Sequence, residues 1–312
     1  MQKIVQIDGG IGRVLCATQA LNTLSEQNEV VVITTWPDVF TNNPNIFKVY
    51  GLNREYIWED VIRHGDFLYP EPYFKRQYYN QEHHLSQSFN DILINDPKFS
   101  FPKIYLSPQE TLWGVNFVKN IKSQFCGSLI LAFQPFGASA VLENGDVIDT
   151  THRSLSMDAV RFIADNLKDV ILVNCSHIAI NHKSIWQANF TVRELFSVVA
   201  ACDNIFTIDS MLNHVGAAFQ KTGILLLGST YSKNVGYPNY TILQRDGYPK
   251  NYFPNRFSGF VDKNKGAMDF KASEYDMLIS LINDRKFFLT FGEALEALEK
   301  NNNELPNNNI VS

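Results

Sequence analysis

The sequence contains few cysteines, no large excess of either charge and no long apolar run, and each of these shortages excludes a class of protein. Only four cysteines occur in 312 residues, and no two of them form a Cys-x-x-Cys pair. A zinc knot or a redox motif is therefore not expected. Cys16, Cys126, Cys175 and Cys202 lie far apart in apolar contexts, which predicts the reduced, buried thiols of a cytosolic protein.

The charges nearly balance, since 27 Lys and Arg residues against 32 Asp and Glu residues give a formal net charge of -5. This balance excludes a broad basic surface for nucleic acid or anionic lipid, although a local basic cleft is compatible with it. The longest apolar runs, such as residues 223–228, have the length of a strand and fall short of the roughly 18 residues of a membrane-spanning helix. The first residues also lack the pattern of a signal peptide. We therefore expect a cytoplasmic protein without a transmembrane segment.

The length and the apolar pattern predict two domains of the α/β class. Buried, β-branched runs separated by a helix are typical of parallel strands that are covered on both faces. In the first half we predict strands at 3–7 and 29–34 and helices at 13–24, 81–94 and 108–123. In the second half we predict strands at 128–133, 170–174, 204–208 and 223–227, and helices at 156–167, 192–202, 211–219, 272–283 and 291–301.

The boundaries that follow are an N-terminal domain over residues 1–125, a C-terminal domain over 126–285, and a helix with a polar tail over 286–312. Parallel α/β sheets bind ligands at the carboxyl ends of their strands. Two such domains in series therefore predict a ligand-binding cleft between them.

A glycine turn follows the first strand, with Asp8, Gly9, Gly10, Gly12 and Arg13 in a strand–turn–helix context. Backbone N–H groups at such a helix N-terminus bind anions. The spacing is not Gly-x-Gly-x-x-Gly, and threonine and tryptophan stand where a ribose-binding acid would follow the second strand, which argues against a nicotinamide dinucleotide. The turn is interpreted as a ligand-facing loop; the alternative is a tight turn that only needs positive φ.

The most informative stretch begins where the strand at 204–208 ends, with Asp209, Ser210, Met211, Leu212 and His214. Ser210 is the expected N-cap, and the N–H groups of Ser210, Met211 and Leu212 would then be free to hold a diphosphate. His214 follows one turn later on the same face of the helix.

The next strand ends in a second small polar loop, Gly228, Ser229 and Thr230, at the same edge of the sheet. Together the two strand ends favour a phosphate or nucleotide site. The alternative is a capped helix whose histidine packs in the core.

Residues 195–230 resemble glycosyltransferase family 9, the ADP-heptose:lipopolysaccharide heptosyltransferases. That family shows the pattern D-[ST]-G-x-x-H-x-A-A followed by a strand and G-x-T, which maps onto Asp209, Ser210, His214, Gly228 and Thr230. Met211 stands in place of the family's glycine.

The resemblance extends upstream in three shorter places. Residues 134–139, with Gly137, are similar to the family's h-P-G-A loop, and residues 10–21 are similar to its N-terminal glycine motif. His152 and Arg153 stand where the family has K-R-W-P, which implies that Arg153 pairs with a phosphate.

The resemblance implies a GT-B fold of two Rossmann-like domains, with the acceptor on the first and the donor mainly on the second. The helix at 291–301 would return to the first domain. The donor would be an ADP- or UDP-linked sugar, and neither a metal nor a cofactor is expected, because helix dipoles and a cation neutralise the leaving diphosphate. The implied donor-binding residues are Gly137, Arg153, Asp209, Ser210, Met211, Leu212, His214, Gly228, Ser229 and Thr230. The loop facing a phosphate or the acceptor comprises Gly9, Gly10 and Gly12.

The expected catalytic base is displaced. In the heptosyltransferases the proposed base is the aspartate after the glycine turn, and Arg13 stands at that position here. Arginine stays charged and cannot act as a general base. Asp8 is the first replacement candidate and Glu71 the second, and Arg13 would instead hold a phosphate of the donor or acceptor.

Aromatic residues are dense in the first half and are interleaved with basic residues, a pattern that suits stacking on sugars or nucleobases; the alternative is that many of them pack in the core. They are Trp36, Trp58, Tyr69, Tyr73, Phe74, Tyr78 and Tyr79, with Lys75, Arg76, His83 and His84 among them.

The Asn-rich composition and Arg13 fit a divergent, phage-encoded relative that would act in the host cytoplasm. The acceptor is then either a lipopolysaccharide-type saccharide or a hydroxymethylated base in phage DNA. A non-catalytic nucleotide-sugar-binding protein and a sugar-nucleotide epimerase on the same fold are the alternatives.

Overall fold

The computed structural model describes residues 2–149, 151–245, 267–268 and 270–285. Within these ranges the strands are β1 Gln2–Ile7, β2 Glu29–Thr34, β3 Lys48–Gly51, β4 Asp66–Leu68, β5 Leu129–Gln134, β6 Val141–Glu143, β7 Asp146–Ile148, β8 Val170–Asn174, β9 Ile185–Gln187, β10 Asn204–Ile208, β11 Gly223–Leu227 and β12 Tyr240–Gln244. The helices are α1 Ile11–Ser25, α2 Ile57–Asp60, α3 Arg76–Tyr79, α4 Leu85–Ile94, α5 Pro108–Gln124, α6 Met157–Asn166, α7 Val192–Ala201, α8 Met211–Ala218, α9 Ser232–Val235 and α10 Ala272–Asn283.

Ten of the twelve described strands form two parallel sheets, and β6 and β7 form a separate antiparallel hairpin. The first sheet uses only strands before residue 69 and the second only strands after residue 128. The first sheet has the order β3-β2-β1-β4 and the second has the order β12-β11-β10-β5-β8-β9. Their pairings are parallel throughout, for example Val5 beside Val32 and Phe206 beside Phe133. The second order is that of the Rossmann fold, with the strand sequence reversing between β5 and β10. The predicted α/β class is therefore confirmed.

The buried strands carry the apolar runs from which they were predicted. β8 and β11 are buried at every residue, and β2 is buried at all but its first. Helices cover the sheets through apolar faces, and the core of the second sheet includes Phe133 and Phe206, whose rings lie 5.0 Å apart. Two-sided burial explains why continuous rather than alternating apolar patterns mark these strands.

Helices α5 and α7 connect the part of the chain around the first sheet to the second. Gly114 on α5 lies against the backbone of Ser197 on α7, where an added β-carbon would come within 2.1 Å of the carbonyl oxygen. Arg193 on α7 binds both carboxylate oxygens of Glu110, at 2.7 and 2.8 Å. These hydrogen bonds lower the pKa of Glu110 to about 2.

Several predicted element ends were wrong for local reasons. Helix α4 begins at Leu85 rather than at residue 81, because the His84 side chain accepts the Ser86 N–H and Gln87 completes a capping box. Helix α1 begins at Ile11, two residues early, because Gly10 serves as its N-cap. The hairpin β6–β7 was not predicted, although its Asn-Gly turn, with positive φ at both residues, is a strong hairpin signal.

One predicted thiol environment was also wrong. All four cysteines are free, and Cys16, Cys175 and Cys202 are buried, but Cys126 is exposed. Cys126 follows the end of α5 in a solvent-facing turn, so its apolar neighbours in sequence did not predict its burial.

Two further predictions concern a membrane-spanning helix and the C-terminal segment. None of the helices in the described part of the chain is long and apolar enough to span a membrane. The predicted helix at 291–301 and the whole of 286–312 lie outside the described residues.

Candidate functional site

A cavity of about 560 Å³ lies where the carboxyl ends of the two sheets face each other. Ten predicted site residues line it: Gly10, Gly12, Arg13, Gly137, Arg153, Asp209, Ser210, Met211, His214 and Thr230. Six others are not among its lining residues: Asp8, Gly9, Glu71, Leu212, Gly228 and Ser229.

The cavity joins the points at which strand order reverses in each sheet. In the second sheet this point lies between β5, which ends at Gln134, and β10, which is followed by Asp209. In the first sheet it lies between β1, followed by Asp8, and β4, which leads to Glu71. Such reversal points are where open α/β sheets bind ligands, so topology alone explains why these residues meet.

The N-terminus of α8 is organised by Gln134, which the sequence analysis missed. Ser210 is the N-cap residue as predicted, but it is the Gln134 Oε1 atom that accepts hydrogen bonds, from the Ser210 hydroxyl at 2.9 Å and the Leu212 N–H at 3.1 Å. The prediction that Leu212 offers a free N–H to a phosphate was therefore wrong, and its side chain is fully buried. Met211 and Ser210 do line the cavity.

Arg153 and Asp209 form an ion pair on the second-sheet wall of the cavity. Their closest atoms, Nη1 and Oδ2, are 3.6 Å apart, and the side chain of Arg153 is 30% exposed while that of Asp209 is 10% exposed. The Arg153 Nε group also donates to the Thr151 hydroxyl at 3.0 Å. The guanidinium is thus held at the cavity surface but is accessible to a ligand.

A buried carboxylate, Asp149, holds the loop that carries Arg153. It accepts the backbone N–H groups of Thr151 at 2.9 Å and Ser154 at 3.0 Å, along with both hydroxyls. Burial alone would raise the pKa of Asp149, but the hydrogen bonds from Ser154 and Thr151 outweigh it and lower the pKa. Asp149 was not predicted, since neither its neighbours nor the family motif mark it.

Gly137 and the residues of the Gly228–Thr230 loop differ in how directly they face the cavity. The Gly137 N–H is already bonded to the Ser154 hydroxyl at 2.9 Å, although Gly137 lines the cavity. Gly228 lies behind the wall, packed against Met268 and the His152 carbonyl, and Ser229 is fully buried with its hydroxyl on the Thr151 carbonyl. The direct ligand roles predicted for Gly228 and Ser229 are therefore replaced by supporting ones.

Thr230 is the residue of this loop that reaches the cavity. Its buried hydroxyl oxygen has no hydrogen-bond partner within the described part of the chain.

His214 reaches across to the first half of the chain. It is buried, and its Nδ1 atom lies 2.8 Å from the Tyr237 hydroxyl and 3.3 Å from the Cys16 thiol. Burial lowers the pKa of His214 to about 3, so the imidazole is neutral at physiological pH. Neither Tyr237 nor Cys16 was predicted as part of the site.

Arg13 is the centre of an ion-pair cluster on the first-sheet wall. Its guanidinium lies 3.4 Å from Asp8 and 3.2 Å from Glu71, and it donates to the Pro70 carbonyl at 3.0 Å. Asp8 also accepts the Tyr69 hydroxyl at 2.9 Å. The two candidate bases are thus brought together by the arginine that replaces the expected aspartate.

The glycine turn has the positive φ of a tight turn and also lies at the cavity. Gly9 has a φ of 90°, as the tight-turn interpretation requires, and its carbonyl accepts the Trp36 indole N–H at 2.9 Å and the Thr35 hydroxyl at 3.1 Å. Gly10 and Gly12 face the cavity, as the ligand-loop interpretation requires.

The aromatic residues divide between the cavity, the core and the surface. Trp36, Tyr73 and Tyr78 line the cavity. Lys75, one of the interleaved cations, is paired with Asp91 at 2.5 Å. Four aromatics are exposed: Trp58, Tyr69, Phe74 and Tyr79.

The described residues contain no cluster of three or more His, Cys, Asp or Glu side chains suited to a metal ion. The cavity instead presents a helix N-terminus, two paired arginines and neutral hydrogen-bonding groups.

Comparisons by sequence gave no match, since no protein-family model and no curated protein matches the chain. Comparison by structure found several similar folds. A glycosyl transferase family 9 protein from Veillonella parvula superposes with a TM-score of 0.59 at 13% identity, covering 96% of each chain. Heptosyltransferase II, the ADP-heptose lps heptosyltransferase of E. coli, gives 0.53 at 11% identity, covering 80% of this chain and 92% of that one.

A third structure is the dodecameric iron-containing heptosyltransferase TibC in complex with ADP-D-beta-D-heptose, a protein from enterotoxigenic E. coli. It gives a TM-score of 0.56 at 10% identity, covering 97% of this chain and 78% of that one. With the two parallel sheets, these similarities show that the chain has a heptosyltransferase-like GT-B fold.

Proposed function

We propose that the protein is a glycosyltransferase that moves a sugar from a nucleotide-diphosphate sugar to a hydroxyl group of an acceptor. The observation that carries this proposal is the cavity between the two sheets. One wall, with the α8 N-terminus and Arg153, suits an anion. The facing wall contains Arg13, which is paired with Asp8 and Glu71 directly behind it. The structural neighbours are glycosyltransferases, which supports the reaction class by fold.

The donor is proposed to bind on the second-sheet wall. The N-terminus of an α-helix favours a diphosphate because its first N–H groups point outward and its dipole is positive there. Arg153 adds a planar cation that can exchange its Asp209 partner for phosphate oxygens. An ADP- or UDP-linked sugar fits this chemistry, and ADP-D-beta-D-heptose is the ligand in the TibC complex.

The chemical step needs a base on the opposite wall. In the proposed step, Asp8 takes the proton of the acceptor hydroxyl as its oxygen forms a bond to the anomeric carbon. The bond between that carbon and the diphosphate oxygen breaks, and the leaving diphosphate keeps the electron pair. Arg153 and the α8 dipole then balance the charge that develops on it. We propose no metal or other cofactor for this step, and Glu71 is the second candidate base.

The acceptor is proposed to be a saccharide of the lipopolysaccharide type. Trp36 and Tyr73 give the first-sheet wall the aromatic surface that sugar rings use. DNA additionally needs a track of available cations. Among the described lining residues the cations are Arg13 and Arg153, and both are already ion-paired.

The domain roles follow the same division. We propose an acceptor-side Rossmann-like domain over residues 1–125 and a donor-side one over 126–285. Four free thiols suit a reducing compartment, and we place the reaction in the cytoplasm.

The test is mass spectrometry of the protein incubated with a panel of ADP- and UDP-sugars, with lipopolysaccharide core saccharides or hydroxymethylated DNA as acceptors. Transfer to a saccharide supports the proposal. Transfer to DNA alone would show that the proposed acceptor is wrong and that the acceptor is a hydroxymethylated base. Donor binding without transfer or hydrolysis indicates a non-catalytic binding protein, and epimerisation without an acceptor indicates an epimerase. Repeating the assay with chelator and with added iron tests the absence of a metal requirement.

Two variants, Arg153→Ala and His214→Ala, test the donor site itself. If donor binding is the same in both variants as in the wild type, the assignment of the donor site is wrong.

A further inference from the structure

Tyr237 is a fully buried tyrosine that no sequence motif marks, and it contacts His214 directly. Its hydroxyl lies 2.8 Å from His214 Nδ1, a short and strong hydrogen bond. The Cys16 thiol lies 3.3 Å from the same nitrogen and 3.6 Å from the hydroxyl. The three groups form a closed triangle, in which His214 lines the cavity and Tyr237 and Cys16 lie behind it.

Each member of the triangle is uncharged. Burial raises the pKa of Tyr237 well above its usual value and that of Cys16 to about 12, so both keep their hydrogens. Burial lowers the pKa of His214 to about 3. A neutral imidazole has one nitrogen that donates and one that accepts, and the hydrogen bond at one nitrogen decides the state of the other.

The hydrogen-bond partners favour one arrangement of the protons. A phenol hydroxyl is a good donor, and an imidazole nitrogen is a better acceptor than a phenol oxygen. If Nδ1 donated instead, the Tyr237 hydrogen would be left with the Cys16 sulfur at 3.6 Å, and sulfur is a weak acceptor. Nδ1 therefore accepts, and the proton of His214 lies on Nε2.

The Nε2 side of the ring faces the glycine loop and the cavity. A β-carbon built on Gly12 would lie 2.6 Å from Cδ2 and 3.1 Å from Nε2 of His214, and both residues line the cavity. An N–H at this position attracts an anionic oxygen, whereas a bare nitrogen lone pair would repel it.

We propose that Tyr237 is a positioning residue that fixes His214 in the Nε2–H tautomer, so that His214 donates a neutral hydrogen bond to the diphosphate of the donor. The ligand in this inference rests on the proposed function. The tautomer does not, since it is a property of the protein alone.

The first test is a two-dimensional NMR experiment on protein with ¹⁵N-labelled histidine, with the His214 signals assigned by their loss in His214→Asn. The expected wild-type pattern is that of a protonated Nε2 and an unprotonated Nδ1. Tyr237→Phe keeps the ring and removes the hydroxyl, so we expect a mixture of tautomers. A wild-type pattern with the proton on Nδ1, or an unchanged pattern in Tyr237→Phe, overturns the proposal.

Tyr240→Phe is the matched control. Tyr240 is also buried, its ring centre lies 5.9 Å from that of Tyr237, and its hydroxyl donates to the Asn213 carbonyl at 2.7 Å. This variant loses an equally buried hydroxyl, but we expect the His214 pattern to be unchanged. A shift in His214 as large as that in Tyr237→Phe would mean that any loss of packing produces it, and would overturn the specific role of Tyr237.

The second test is calorimetric titration with ADP and UDP. We expect Tyr237→Phe to bind the nucleoside diphosphate about two- to tenfold more weakly, because affinity falls in proportion to the fraction of His214 that leaves the Nε2–H form. Tyr240→Phe should bind as the wild type does. Unchanged affinity in Tyr237→Phe overturns the ligand role of His214. If the wild type shows the Nε2–H pattern but binds neither nucleotide, the proposed function fails while the tautomer assignment stands.

Discussion

The imidazole of His214 lies in the space where a side chain on Gly12 would begin, with Cδ2 only 2.6 Å from the position of an added β-carbon. Gly12 lies in the first turn of α1, which follows β1, and His214 lies on α8, which follows β10. The contact therefore joins the turning points of two sheets that are far apart in sequence. It also explains why glycine is required at residue 12, whose helical backbone would otherwise accept alanine.

Replacing Gly12 by alanine tests this relationship. The methyl group displaces the buried imidazole, and overpacking of this kind destabilises a protein by about 1–3 kcal/mol. The measurement is the free energy of unfolding in urea. Gly10→Ala is the control, because an added β-carbon there meets no described atom within 4 Å. Its free energy of unfolding should fall less than that of Gly12→Ala. Equal losses in the two variants would show that the His214 contact is not tight.

Replacing Arg153 tests the donor wall. Arg153→Ala removes the cation that we assign to the diphosphate, and a charge-assisted hydrogen bond is worth about 1.5–3 kcal/mol. We expect ADP or UDP to bind roughly 10- to 100-fold more weakly by calorimetry, with partial recovery in Arg153→Lys, which keeps the charge but not the planar fork.

The control for Arg153 is Arg161→Ala in the same half of the chain. Arg161 is 60% exposed on α6 and pairs only loosely with Asp158, at 3.9 Å. Its removal should leave nucleotide affinity unchanged. An equal effect in both variants would indicate a general electrostatic field instead of a contact by Arg153.

Replacing the candidate bases decides between them. Asp8→Asn keeps the hydrogen bond with Tyr69 but removes the proton acceptor, so we expect transfer to fall by about 100-fold or more while donor affinity is retained. Glu71→Gln should lose less activity. Both rates are measured with saturating donor in the transfer assay. Full activity in Asp8→Asn together with loss in Glu71→Gln would move the base to Glu71.

The sequence predicted those parts of the fold that local pattern controls. Strands β2, β8, β10 and β11 have the predicted ends, because their apolar runs are continuous and bounded by polar residues. The three- and four-residue strands β3, β4 and β9 were missed. A run that short carries no periodicity, and its strand conformation comes from pairing with a neighbour that lies far away in sequence.

The candidate site shows the same division. Asp209, Ser210 and His214 were found because they share one strand–helix junction. Gln134 and Tyr237 were missed because their roles depend on contacts between residues 76 and 23 positions apart, respectively. Arg13 was recognised as a departure from the family pattern, but only the structure reveals that it binds both candidate bases.

Two of the buried histidines, His84 and His214, predict a loss of stability in mild acid. Burial, together with the neighbouring His214, lowers the pKa of His84 from 6.5 to about 3, and burial lowers that of His214 similarly. Between these pH values the unfolded chain binds protons that the folded chain does not, so the free energy of unfolding falls as the pH drops below 6.5. At pH 5 each of these histidines lowers the free energy of unfolding by about 2 kcal/mol relative to its value at neutral pH. Glu110, with a pKa near 2, begins to contribute only in stronger acid, because its unfolded value is 4.5.

His84→Asn isolates one of these contributions. Asparagine can accept the Ser86 N–H as a helix cap but does not titrate. The drop in unfolding free energy from pH 7.5 to pH 5 should therefore be about 2 kcal/mol smaller in the variant than in the wild type. The measurement is urea unfolding at both pH values, in which a uniform loss of stability in the variant cancels. If His84→Asn retained the whole wild-type difference, His84 would have to be protonated in the folded protein at pH 5, and its ring could not then be packed without solvent against Tyr237, 4.7 Å away.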